Sequence, residues 1–105
     1  MRLPCSLALA AILNFCAFAT MAAEKPARLG LCASCHGEDG HAMVPATPNL
    51  AGQNLDYLRN AVSQYRSGAR DVPAMRAALG MLGAADLERV LVWYAQASTL
   101  PPSTP

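Results

Sequence analysis

The chain has 105 residues, enough for one domain, with 53% hydrophobic and 14% charged residues. Eight Lys and Arg stand against seven Asp and Glu, a formal net charge of +1 with no basic stripe, which argues against a nucleic-acid binder. So weak a charge also argues against strong long-range steering toward one oppositely charged partner.

The first segment reads as a secretory signal peptide over residues 1–22. Met1 and Arg2 form a short basic start, residues 3–18 are mostly apolar, and Thr20-Met21-Ala22-Ala23 offers small residues for cleavage. The alternative is a retained membrane anchor, but the apolar run is at the short end of the ~17 to 25 residues that a span requires. Phe15 before Cys16 is too bulky for a lipoprotein cleavage pattern, so no lipid anchor is assigned. Export to the periplasm follows, with no stable membrane insertion after cleavage. Removing the leader takes away Arg2, Cys5 and Cys16, leaving seven basic and seven acidic residues, and Cys32 and Cys35 as the remaining cysteines.

A domain over residues 23–100 comes next. Pro26 suits a first helical turn and opens a short segment through Ala27, Arg28, Leu29 and Leu31 into Cys32-Ala33-Ser34-Cys35-His36, which Gly37 ends. Two thiols separated by two residues and followed at once by histidine form the attachment signature of a c-type haem. Cysteines three apart on a helix sit about one turn from each other, so both sulfurs can bond neighbouring vinyl groups. The next residue, His36, then lies beneath the iron as an axial imidazole ligand. Three other readings explain less. A thioredoxin-type pair normally follows a strand in a βαβ pattern, and no strand is legible. A zinc site needs a second ligand pair, which is missing downstream. A disulfide across two residues is cramped and leaves His36 unexplained.

A mature domain of about eighty residues is near the size at which an apolar core alone is marginal. A buried haem would complete that core, so the cofactor-free polypeptide is expected to be largely unstructured. A well-dispersed amide NMR spectrum of that form would contradict this coupling.

From Glu38 to Gly52, glycines and prolines without sustained periodicity read as a loop that wraps one haem face. His41 within it reads as an exposed loop histidine rather than a second iron ligand. Asn54 caps a second helix with Leu58, Ala61, Val62 and Tyr65 at i, i+3, i+4 and i+7, and Gly68 stops it. The segment after Pro73, with Met75, reads as irregular. Met81 falls in a short apolar helical stretch and reads as core filling. From about Ala84, Leu87, Val90, Leu91 and Tyr94 repeat the apolar stripe, with Asp86 and Glu88 in the first turn. Trp93 and Tyr94 read as core or haem-edge packing. Residues 101–105 read as a disordered tail.

These residues carry a resemblance. Cys32-Ala33-Ser34-Cys35-His36-Gly37, Pro48-Asn49-Leu50-Ala51-Gly52-Gln53, Tyr57-Leu58, Gly68-x-Arg70, Met75 and the run from Leu82 to Ala95 resemble the class I c-type cytochromes. The likeness is to the small bacterial periplasmic monohaem kind, similar to one half of dihaem carriers, and extends from about Lys25 to Ala97. It implies an all-α fold of three to four short helices around one covalently attached haem c, the first and last helices crossing beside it. Gly30 or Ala27 meeting Leu91 or Tyr94 is the expected crossing. The resemblance also implies a methionine on the iron face opposite His36. Met75 matches the family position, with Met81 and Met43 as the alternatives. In similar cytochromes the carbonyl of a proline placed like Pro48 accepts a hydrogen bond from the proximal histidine ring. Gln53, Tyr57 and Arg70 could bond haem propionates, or be solvated surface.

The resemblance implies an electron-transfer protein rather than an enzyme, its haem iron held by His36 and Met75 and its partners a redox donor and acceptor. Docking would be transient and small, as redox encounters are. The alternative is the cytochrome subunit of a larger periplasmic oxidoreductase with a flavin, molybdenum or quinone partner. A haem gas sensor or peroxidase-like protein would instead need a weak or absent Met75 bond.

Overall fold

The computed structural model describes residues 2, 11–17 and 24–100. Most of the expected leader and the whole expected tail, residues 101–105, lie outside the described residues. Residues 11–17 form neither helix nor strand, and among the described residues no helix is long and apolar enough to cross a membrane.

Among the described residues the fold has four helices, α1 (Gly30–His36), α2 (Leu55–Ser67), α3 (Pro73–Gly80) and α4 (Ala84–Gln96), and no strand. The all-α class and the upper of the two expected helix counts are thus observed.

The first helix starts later than Pro26. The Leu29 amide donates to the Pro26 carbonyl at 3.1 Å, a tight turn occupies residues 27–29, and regular helix begins at Gly30. Only seven residues remain for α1, about two turns, before Gly37 ends it with φ 78° and ψ 156°.

Helix α2 has both of its sequence-marked ends. The Asn54 side-chain oxygen accepts from the Tyr57 amide at 3.0 Å, and Gly68 takes the left-handed conformation at φ 84°, ψ 1°, where a Cβ would cost energy. Asn54→Ala should therefore cost about 1 kcal/mol, lowering the denaturant midpoint without changing the slope.

The segment around Met75 corrects the sequence reading. Pro73 occupies the first turn of α3, where its fixed φ is already helical and its missing N–H costs nothing, and Ala74, Ala77 and Ala78 favour continuation. Met75 therefore stands on a regular helix rather than in an irregular stretch. Met81 terminates that helix and is 62% exposed, so it is not core.

On α4, Leu87, Val90, Leu91 and Tyr94 are all buried, as their spacing predicts. They join Leu58 of α2 and Leu79 of α3 in one core, with α2 packed against both α3 and α4. At the surface Arg59 of α2 reaches Glu88 of α4 and Asp56 of its own helix.

The residues expected at the contact of first and last helices are also corrected. Ala27 and Gly30 are exposed, and a Cβ on Gly30 would meet nothing within 4 Å. Leu29, 1% exposed, is the residue that enters the core. The end of α1 is instead joined to α4 by polar bonds. The Tyr94 hydroxyl donates to the Gly37 carbonyl at 2.8 Å, and the Trp93 indole N–H donates to the Glu38 carbonyl at 2.7 Å. Leu31, Cys32 and Ala33 of α1 also pack against the core that α4 helps to form, and aromatic side chains with a polar tip add a tie from α4 to the end of α1.

Candidate functional site

The short α1 carries Cys32, Cys35 and His36 on consecutive turns, and all three border a cavity of about 290 Å³. Both thiols are free; Cys32 is half-buried and Cys35 exposed. Burial raises the pKa of the Cys32 thiol above its ordinary value, so it is held neutral.

His36 is 7% exposed, and its Nδ1 lies 2.8 Å from the Pro48 carbonyl oxygen. A carbonyl can only accept, so this bond places a ring proton on Nδ1, and in the neutral imidazole Nε2 is then the lone-pair donor. The loop that delivers Pro48 is closed by its own backbone. The Gly40 carbonyl accepts from the Leu50 and Ala51 amides at 2.7 and 3.1 Å, the Met43 amide donates to Cys35 at 3.0 Å, and Asn49 Oδ1 accepts from the Ala42 amide at 2.7 Å. Asn49 was not assigned this bracing role from sequence; an Asn beside a loop proline is the signal that marks it. Tyr94 lies against the histidine, ring centroids 6.5 Å apart. Burial pushes its phenol pKa well above the ordinary value, which keeps the hydroxyl a donor to Gly37.

Helix α3 brings half-buried Met75 to the same cavity. The other two candidate methionines lie elsewhere: Met43 is 75% exposed and Met81 62%, and neither borders the cavity. His41 is also away from it. Contrary to the expectation of a free loop histidine, it is half-buried, with Nε2 3.2 Å from the Ser98 carbonyl.

Gln53, Tyr57 and Arg70 all border the cavity, together with Tyr65, which the sequence marked only as part of an apolar stripe. Arg70 Nε donates to Gln64 Oε1 at 2.6 Å and Nη2 to the Tyr57 hydroxyl at 3.2 Å, and the guanidinium carbon is 5.7 Å from the centroids of both Tyr57 and Tyr65. Most of the rest of the wall is aliphatic, including Leu31, Leu58, Val62, Leu79 and Leu82.

An apolar cavity holding two thiols, one unprotonated imidazole nitrogen and one thioether fits a flat apolar macrocycle with iron at its centre. Among the described residues no group of three or more His, Cys, Asp or Glu could hold a bare metal ion.

Known proteins agree with this chemistry. The cytochrome c family model matches residues 23–89, more than half of the chain. The chain is 43% identical over 49 residues to cytochrome c-554(548) of Halomonas halodenitrificans, covering 47% of this chain and 59% of that protein. It is 35% identical over 74 residues to cytochrome c4 of Pseudomonas aeruginosa, covering 70% of this chain and 37% of that one. A protein described as thiosulfate dehydrogenase electron acceptor, from Stutzerimonas stutzeri, is 36% identical over 72 residues, with 68% of this chain and 33% of that protein covered. The chain thus spans between a third and three-fifths of the length of these relatives. Because the family match runs through both cysteines, His36 and Met75, the chain belongs to the cytochrome c family, and its cofactor is a covalently bound haem c with its iron.

Proposed function

We propose that this protein is a periplasmic electron carrier, not an enzyme, with Cys32 and Cys35 as the thioether anchors and His36 and Met75 as the axial ligands. The observation that carries the reading is the convergence of these four side chains on one apolar cavity. When bound, the haem supplies iron that passes between the ferrous and ferric states.

The chain's own residues make that exchange easy. His36, fixed at Nδ1 by Pro48, presents Nε2 in one orientation, and the bond to a carbonyl makes the imidazole more electron-rich. Met75 provides a neutral, soft sulfur, which favours the reduced state relative to a second histidine. With His36 and Met75 both holding the iron, little rearrangement of the chain would accompany a change of charge. The aliphatic wall excludes water, which further favours the lower charge. Periplasmic export rests on the signal-like leader, residues 1–22.

A second reading, the cytochrome partner or subunit of a larger oxidoreductase, is favoured by one observation: a relative carries the description thiosulfate dehydrogenase electron acceptor. Elution of the exported native protein as a small monomer supports the free carrier; co-elution with a larger polypeptide supports the subunit.

The first test of either is the optical spectrum of periplasmically expressed protein, oxidised and reduced. Acid-stable haem with the weak long-wavelength band of an iron–thioether bond is expected. Haem without that band, with rapid carbon monoxide binding, would move the assignment toward a gas sensor or peroxidase-like protein.

A further inference from the structure

The Pro48 carbonyl orients His36, yet Pro48 is exposed, so burial in the core does not fix its place. Bonds at both ends of its loop, residues 37–52, do so instead, and they reach the end of α4 and the residues after it. Near the start of the loop, His41 Nε2 lies 3.2 Å from the Ser98 carbonyl oxygen; a carbonyl only accepts, so the ring N–H donates. At the far end the Gly52 amide donates to the Tyr94 carbonyl at 2.9 Å. Gly52 also admits the chain beyond α4 at close range. Its φ is 68°, and a Cβ there would stand 2.4 Å from Thr99 Cγ2 and 3.3 Å from the Ala97 carbonyl oxygen.

A short path joins His41 to Pro48. The His41 amide donates to Asp39 Oδ1 at 3.0 Å, the next amide, of Ala42, donates to Asn49 Oδ1 at 2.7 Å, and Asn49 directly follows Pro48. A displacement of His41 therefore reaches the Pro48 carbonyl through one hydrogen bond and one residue. The bond from His36 Nδ1 weakens as that carbonyl moves or tilts, and the electron density that the imidazole offers at Nε2 falls with it.

We propose that His41 is a positioning residue for His36: tied to the Ser98 carbonyl, it makes residues 97–100 a strap that sets the Pro48 carbonyl and so tunes the axial imidazole. The inference rests on the haem assignment above and goes beyond it, since neither covalent attachment nor axial ligation requires a tie between this loop and the residues after α4.

The test uses the exported full-length holoprotein and its His41→Asn and His41→Gln variants. Asn is polar and suits a loop but is too short to reach Ser98, whereas Gln can bring an N–H donor near the place of the imidazole Nε2. Three quantities are measured: the proton shift of His36 Nδ1–H in the reduced protein, the equilibrium with a one-electron mediator of fixed potential, and the denaturant midpoint. A loss of stability alone moves only the third. His41→Asn should move the Nδ1–H signal upfield, as a weakened hydrogen bond does, and displace the equilibrium about twofold toward the ferrous form, because a less electron-rich imidazole stabilises ferric iron less. His41→Gln should recover both. If His41→Asn leaves the signal and the equilibrium as in wild type, whether or not the midpoint falls, His41 is at most a stabilising contact and the proposal is overturned. Equal displacement in both variants would overturn it as well, because the bond to Ser98 is then not what matters. Should His41→Asn fail to accumulate, a His41→Gln protein with wild-type signal and equilibrium supports the proposal, and one that folds with both displaced opposes it. Absence of covalent haem from the wild type would instead refute the electron-carrier reading itself.

Discussion

Met75→Ala is expected to retain haem, because Cys32 and Cys35 are untouched, while losing the long-wavelength iron–thioether band and gaining rapid carbon monoxide binding. The potential should fall by on the order of 100 mV, a modest part of the ~0.8 V over which axial ligation acts. Three observations single out this methionine. It borders the cavity that holds His36, it is half-buried, and Met43 and Met81 are both exposed and away from that cavity. Truncating a packed side chain also loosens α3, so Met75→Leu is the control: it keeps the volume and removes only the sulfur. Loss of the band and the drop in potential in both variants identify the ligand. A band that survives in Met75→Leu would transfer the assignment to another methionine.

The second large effect is structural. Gly37→Ala should destabilise the holoprotein by about 3 kcal/mol or more, lowering the melting temperature by roughly 10 °C or more. The backbone there, at φ 78° and ψ 156°, lies in a region that is essentially restricted to glycine. A Cβ would also stand 2.2 Å from the His41 carbonyl oxygen and 3.1 Å from Asp39 Oδ1, and the nearer of these is backbone that cannot simply rotate away. The strain would fall on the residue after His36 and on the carbonyl that receives the Tyr94 hydroxyl, so the haem spectrum should broaden or shift together with stability. Thermal melts followed in the visible and far-ultraviolet check both effects; a loss below about 1 kcal/mol would show that the loop can open at little cost.

The chain's relation to longer proteins bears on its partners. It covers about a third of the relatives described as cytochrome c4 and thiosulfate dehydrogenase electron acceptor, while the family match takes in residues 23–89. The haem-bearing unit is therefore shared, and whatever the remaining length contributes in those proteins does not transfer with it.

Local signals determined much of the molecule. The roles proposed for Cys32, Cys35 and His36 were legible in the sequence because covalent attachment and axial ligation would both act within one helical turn. Asn54 and Gly68 mark α2 because capping satisfies backbone groups within three or four residues. Leu87, Val90, Leu91 and Tyr94 mark α4 because a single helical stripe is buried. Tertiary structure decided what depends on distant neighbours. The segment after Pro73 looked irregular until the proline's place at the first turn of α3 was visible, and Met81 looked like core until the helix end turned it outward. Gly30 was a reasonable point of close approach, but Leu29, Leu31 and Ala33 pack against the core instead, and Trp93 and Tyr94 reach the carbonyls of Glu38 and Gly37. The frame around Arg70 is likewise invisible along the chain, because it exists only once Gly68 reverses direction and lays the guanidinium over Tyr57, Gln64 and Tyr65. Periodicity and motif report interactions within a turn or two, whereas the partners of these residues were selected by the packing of α1, α2, α3 and α4 around one cavity.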